Sequence, residues 1–265
     1  MLGLGSGINR LSAAEAAAIA ARSGGYLLDT YSGAAAAYSL RQLSGSYSGN
    51  AIKVRRASDN AEADIRLVNG ELDTTGLASH CGSSDGFVSV WYDQSSNSND
   101  ATQTTAADQP KIYDGTTGLV TRGGKPSAYF VDGVDHLDIT AVNNISYIYV
   151  GEPLGRSQAF GANSTSIRTD NTNGYRNYGF EWANQDLTAT HNGTDISSTA
   201  TIIPISGGLS FDILLAKTSR TDPQDAVEIG RENAQYISEL ITWESDKSSD
   251  FAAMSTAVNN FYNIY

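Results

Sequence analysis

Residues Gly86–Asp100, GFVSVWYDQSSNSND, decide how the rest of the chain is read. The first half alternates as a strand requires, with Phe87, Ser89 and Trp91 toward one face and Val88, Val90 and Tyr92 toward the other. Trp91 is large enough to anchor a core between two sheets. From Asp93 onward the apolar residues stop. Asp, Asn and Ser side chains cap neighbouring backbone N–H groups, so Asp93–Asp100 reads as a tight loop held by its own side chains. The alternative is a calcium loop that uses the oxygens of Asp93, Asn97, Asn99 and Asp100. Their spacing is not that of an EF-hand, and the expectation is a structural turn without metal or other cofactor.

The same rhythm of short alternating runs and turn clusters continues outward. Candidate strands are Ala34–Leu40, Ala51–Arg56, Phe87–Tyr92, Ala128–Phe130, Leu137–Ile139, Ser146–Val150, Ser166–Thr169, Tyr175–Trp182, Leu209–Ala216, Ala226–Gly230 and Gln235–Trp243. Gly, Asn, Asp and Ser separate them at the interval of an all-β sandwich or jelly roll. Helical patterns occur only near the ends. Residues 12–22, SAAEAAAIAAR, have an N-capping Ser12 and a body of alanine, closed by Ser23-Gly24-Gly25. In the tail, Phe251, Met254, Val258 and Tyr262 form a helical stripe that Ser248 or Ser249 could cap. The expected organisation is an arm over residues 1–25 and one sandwich domain over residues 26–265.

Composition narrows the partners. The 265 residues carry a net charge of −12, which disfavours nucleic acid, since phosphate binding needs a basic stripe. The one basic run, Lys53-Val54-Arg55-Arg56, sits in a strand. Arg55 and Arg56 are expected to fix the following turn through a carboxylate beside Ser58-Asp59. A single cysteine, Cys81, makes neither an intrachain disulfide nor a cysteine-rich zinc site, and reads as a small buried residue beside a turn. The amino-terminal stretch lacks a charged n-region, and Glu15 interrupts its apolar part. No run reaches membrane-spanning length, so a soluble protein outside the usual export route is expected.

Two stretches, Ala37–Asp59 (AYSLRQLSGSYSGNAIKVRRASD) and Phe87–Gln103 (FVSVWYDQSSNSNDATQ), resemble the opening half of the catalytic domain of α-L-arabinofuranosidases of the B type. The resemblance implies a concanavalin A-like jelly-roll β-sandwich, here with a short N-terminal helical arm and a short C-terminal helix. The same pair of motifs occurs in structural proteins of tailed bacteriophages. There it accompanies an ending similar to Ile237–Asp246 (ISELITWESD) and Asn260–Tyr265 (NFYNIY).

A retaining glycosidase needs two carboxyl groups about 5 Å apart. In the family that this chain resembles, the nucleophile follows a Cys-Cys pair in a Cys-Cys-Phe-Asp-Tyr-Gly-Asn-Ala-Glu stretch. The nearest counterpart here, Phe160-Gly161-Ala162-Asn163-Ser164, holds no carboxylate. The family's acid/base lies in Gly-Gly-Asp-Asn. The matching Gly230-Arg231-Glu232-Asn233 keeps one acid, Glu232, as the sole catalytic candidate, with Arg231 replacing a glycine. Glu181, Asp186 and Glu244 read as solvated acids. His80, His136 and His191 form no triad with a serine. The expectation is therefore not an enzyme.

Sugar recognition needs aromatic faces with amides and carboxylates beside them. Asn173–Asn184, NGYRNYGFEWAN, is the richest such segment, and Tyr175, Arg176, Asn177, Tyr178, Glu181 and Trp182 are its glycan-binding candidates. Core packing is the competing role for Arg176, Tyr178, Phe180 and Trp182. Together these readings predict a non-enzymatic bacteriophage virion structural protein: a head-decoration, fibre or tail accessory subunit. It would be held to other virion proteins through residues 1–25, would contact neither nucleic acid nor membrane, and could bind host-surface glycans. Virion appendages are often trimeric, so a homo-oligomer is expected. The alternative is a glycoside hydrolase related to arabinofuranosidases, active or vestigial.

Overall fold

A computed structural model describes residues 25–143, 145–154, 157–162, 165–170, 175–179, 188–195, 203–206, 211–217, 225–232 and 234–265. The expected helix over residues 12–22 lies outside them. The longer strands, in chain order, are β1 (Ala34–Ser39), β2 (Asn50–Arg56), β3 (Glu62–Val68), β4 (Gly86–Trp91), β5 (Lys111–Asp114), β6 (Ala128–Phe130), β7 (Leu137–Asn143) and β8 (Ser146–Pro153). They continue as β9 (Ser157–Ala162), β10 (Thr165–Asp170), β11 (Tyr175–Gly179), β12 (Thr188–His191), β13 (Ile203–Ser206), β14 (Asp212–Lys217), β15 (Asp225–Glu232) and β16 (Gln235–Trp243). Helices α1 (Leu27–Thr30), α2 (Thr74–Cys81) and α3 (Phe251–Tyr262) complete the described elements.

All described pairings are antiparallel, and all but the small hairpin of Thr121–Arg122 with Lys125–Pro126 join into one large network folded into two layers. In the first layer β16 is central. It pairs with β1 and β6 on one side and β8 on the other, and β14 and β12 follow β8. The second layer runs β3–β2–β4, then through Ala101–Thr102 to β7, β15, β9, β10, β11 and β13. Strand β5 pairs with both β4 and β6 and so links the layers. This is the expected β-sandwich.

The inner core lies between the layers, with Tyr38, Tyr147, Tyr149, Ile237 and Leu240 from the first meeting Ile52, Val54, Val88, Trp91, Leu137 and Ile229 from the second. The first layer is covered on its outer face too. There Ile148, Val150, Ile213, Leu215, Ile241 and Trp243 pack against α1 and α3. Tyr147 and Tyr149 therefore enter one core while Ile148 and Val150 enter the other, which is why this run shows no polar alternation. Each such buried aliphatic side chain contributes about 1.5–3 kcal/mol.

Helix α3 buries Phe251, Met254, Val258 and Tyr262, the predicted stripe. Its start differs from expectation. A 3₁₀ turn over Ser248–Asp250 leads into it, no side chain caps it, and the Ser248 hydroxyl donates to Asp246 instead. The tail folds back over Asn259, whose Oδ1 accepts from the N–H of Ile264 at 2.7 Å and whose Nδ2 donates to the Tyr265 carbonyl at 2.6 Å. Helix α2, which no sequence pattern announced, is capped by Asp73 at the Gly76 N–H and ends at Cys81.

Strand β4 corrects the simple alternation. Ile52 lies opposite Trp91 and Lys53 opposite Val90, but Val54 lies opposite Val88, so Ser89 is an extra residue in the ladder. The bulge turns Trp91 to the face of Val88 rather than that of Phe87. Both Val88 and Trp91 are fully buried, beside Ile52 and Val54.

Candidate glycan-binding region

The loop after β4 is built around one buried carboxylate. Asp93 Oδ1 accepts from the N–H groups of Ala37 and Ser95, each at 2.8 Å. Its Oδ2 accepts from the Ser95 hydroxyl at 2.6 Å and the Asn99 N–H at 3.0 Å. Asp100 closes the loop by accepting from the Asp93 N–H. Asn97 donates to the carbonyls of Ala34 and Ala35. Asn99 donates to the Thr140 carbonyl and accepts from its N–H, and so acts as a strand neighbour for irregular β7. Asp93 and Asp100 thus hold groups of their own loop, as the sequence reading expected, whereas Asn97 and Asn99 spend their amides on the distant backbone of β1 and β7. Among the described residues no three His, Cys, Asp or Glu side chains gather as a metal site would require.

Arg56 grips Asp59 with two nitrogens, at 3.0 and 2.7 Å, and its third donates to the His80 carbonyl, as the turn-fixing role required. That grip, together with the N–H of Ala61, lowers the Asp59 carboxyl to about 2. Arg55 behaves otherwise: its partners are Gln109, Asn60 and the Ala106 carbonyl, none of them a carboxylate. His136 sits between the amide of Gln103 and the Val134 carbonyl, in a structural setting. Next to it Asp135 is buried, accepts from the Val131 N–H, and is pushed up to about 6, chiefly by burial.

Two clusters escaped the sequence. Glu239, with no exposed surface, takes Nε and Nη2 of Arg41 at 2.7 and 2.9 Å, the Ser39 hydroxyl at 2.8 Å and the Tyr262 hydroxyl at 3.2 Å. It ties β1 and β16 to α3. Burial would depress the guanidinium of Arg41, but the adjacent Glu239 carboxylate holds it above its usual range. On the same layer, Tyr129 and Tyr236 lie opposite each other with ring centres 4.7 Å apart. Arg122 stacks on Tyr236 at 3.5 Å and pairs with Glu152 at 3.1 Å. The acids and arginines stood alone in the sequence because their partners lie far along the chain.

The glycan candidates Tyr175, Arg176, Asn177 and Tyr178 lie on β11, whereas Glu181 and Trp182, like Asp186, fall outside the described residues. Glu232 ends β15. The register sets Glu232 opposite Gln158, Gln158 opposite Arg168, and Arg168 opposite Gly179. One sheet therefore carries both predicted groups, but β15 and β11 are three strand spacings apart, about 14 Å at roughly 4.8 Å each. Between them, β9 runs Ser157–Ala162 beside β15 without an acid. On the other side of β15, Asp138 lies opposite Glu228.

A two-layer antiparallel sandwich with a C-terminal helix packed on its outer face defines the class: a concanavalin-like jelly roll. The family described as "Alpha-L-arabinofuranosidase B, catalytic" matches residues 29–202, and the chain belongs to it. Among solved structures, a GH54 α-L-arabinofuranosidase soaked with a cyclic sulfate inhibitor is similar, with a TM-score of 0.56 at 15% identity over 88% of this chain. An arabinofuranosidase complexed with arabinofuranosyl-α-1,2-xylobiose is similar with a TM-score of 0.54 at 14% identity, also over 88%. The match spans 64% of the length of each solved enzyme. Among curated proteins, none matches the chain in sequence.

Proposed function

We propose that the chain is a non-hydrolysing, glycan-recognising member of the arabinofuranosidase B fold, carried as a structural subunit on a bacteriophage virion. The strand pair β9–β15 carries this reading. Glu232, read from the sequence as the counterpart of the family's acid/base, ends β15, while the neighbouring β9 brings Ser157, Gln158, Ala159, Phe160, Gly161 and Ala162 and no carboxylate. Double displacement needs two carboxyl groups about 5 Å apart, and β9 supplies no second one beside Glu232. The virion setting is supported by the ISELITWESD and NFYNIY ending, with residues 1–25 as the attachment to capsid or tail partners and a homo-oligomer as the assembly. Because one solved relative holds arabinofuranosyl-α-1,2-xylobiose, pentose-bearing oligosaccharides are the first ligands to try. Isothermal titration should show binding of arabinoxylan oligosaccharides or host-surface glycans with no release of reducing sugar. Loss of particle incorporation on deleting residues 1–25 would support the virion part, and unchanged incorporation would end it.

A second reading, hydrolysis, is favoured by the family membership and by the register that sets Asp138 of β7 opposite Glu228 of β15. Residues directly opposite in a sheet have Cβ atoms about 4.5–5.5 Å apart, close to the retaining spacing. Turnover of 4-nitrophenyl α-L-arabinofuranoside that disappears in Glu232→Gln or Glu228→Gln would establish hydrolysis and overturn the first reading.

A further inference from the structure

A polar groove runs along the edge of the sandwich beside the Asp93–Asp100 loop. One lobe, about 460 Å³, lies between Gly33–Ala35, the Ser96–Asn99 turn, the irregular Thr140–Val142 stretch of β7 and Glu244. A second lobe, about 370 Å³, continues from it past Ser32, Ser44, Ser46 and Tyr47. The lobes share Gly33, Ala34 and Ser96, so they adjoin along one edge. Each lobe falls within the roughly 300–1,000 Å³ of ordinary small-molecule sites.

The walls are fixed before any ligand arrives. Asn97 and Asn99 clamp the turn to β1 and β7, Asp93 ties it to Ala37, and the Tyr47 hydroxyl is held by the Asn50 carbonyl at 2.6 Å. Rigid walls reduce the ordering cost of binding. The groups that build the loop are thereby used up, and the lining also includes the exposed Ser96, Ser98, Thr140 and Glu244. Hydroxyls both donate and accept, and a carboxylate accepts from two hydroxyls at once. Among the described residues, Glu244 is the only charged one lining either lobe. The groove therefore offers no counter-charge to an anionic sugar or a phosphate.

We propose that this groove binds a neutral, hydroxyl-rich oligosaccharide, with Tyr47 forming the aromatic wall at one end. The proposal rests on the glycan-recognition reading and moves the contact from β11 to the loop after β4. The test is an array of neutral arabino-, xylo-, gluco- and galacto-oligosaccharides, with uronic-acid and sialylated glycans alongside. It is probed with the full chain, Ser96→Trp and Tyr178→Ala, each checked for an unchanged melting curve. Binding of neutral glycans that weakens at least tenfold in Ser96→Trp and persists in Tyr178→Ala is expected. Undiminished binding by Ser96→Trp overturns the groove and leaves glycan recognition standing. Selective binding of the anionic glycans also overturns the groove, and no binding to any glycan overturns both.

Discussion

Replacing Glu239 by alanine tests the buried network that ties the sandwich to its carboxyl-terminal helix. Arg41 is 8% exposed and Glu239 not at all, so removing the carboxylate strands a guanidinium in a site with almost no water. It also takes the acceptor from the Ser39 and Tyr262 hydroxyls. Breaking a buried pair by deleting one partner costs about 3–5 kcal/mol. At roughly 2–4 °C per kcal/mol for a domain near this size, the melting temperature should fall on the order of 10 °C. The pair itself need not be net stabilising, because its desolvation offsets most of the Coulomb gain. The double variant Arg41→Met/Glu239→Leu should therefore lose much less than the sum of the single variants, with a coupling of about 0.5–3 kcal/mol. Urea unfolding of Glu239→Ala and of the closed cycle (unsubstituted protein, Arg41→Met, Glu239→Leu and the double variant), followed by tryptophan fluorescence, measures each term. A Glu239→Ala loss below about 1 kcal/mol, or strict additivity in the double variant, would refute the reasoning.

Three further outcomes follow from local geometry. Gly230 has φ of +90°, and a Cβ there would run into the Phe130 ring, so Gly230→Ala should destabilise by at least about 2 kcal/mol in the same urea assay. Cys81 is 2% exposed, and burial pushes its thiol up to about 11. A disulfide reagent at pH 8 should leave it unmodified in the folded protein and label it fully in urea, and rapid native labelling would contradict this. Burial raises Asp135 from the ordinary 3.8 to about 6, so the folded state holds that proton more tightly than the unfolded chain. Its contribution to stability is present below about pH 4 and is lost as pH rises through about 6. Asp135→Asn should flatten the melting-temperature profile across that window, and parallel profiles for the two proteins would count against it.

Gly86–Asp100 and the runs around it were enough to assign the sandwich, because strand alternation and Asx-rich turns are local and act over a few residues. For the same reason the stripe Phe251–Met254–Val258–Tyr262 announced its helix, and the carboxylates of Asp93 and Asp100 were legible as turn chemistry. Tertiary structure decided what depends on a distant partner. The bulge at Ser89 exists only against β2, and it overrode the alternation that placed Trp91 with Phe87. Arg41 and Glu239 are 198 positions apart, and only the pairing of β1 with β16 makes them one buried group. The glycan candidates of β11 and the lone acid Glu232 entered one sheet, but its strand order set them about 14 Å apart, a spacing that strand count fixes and sequence spacing does not.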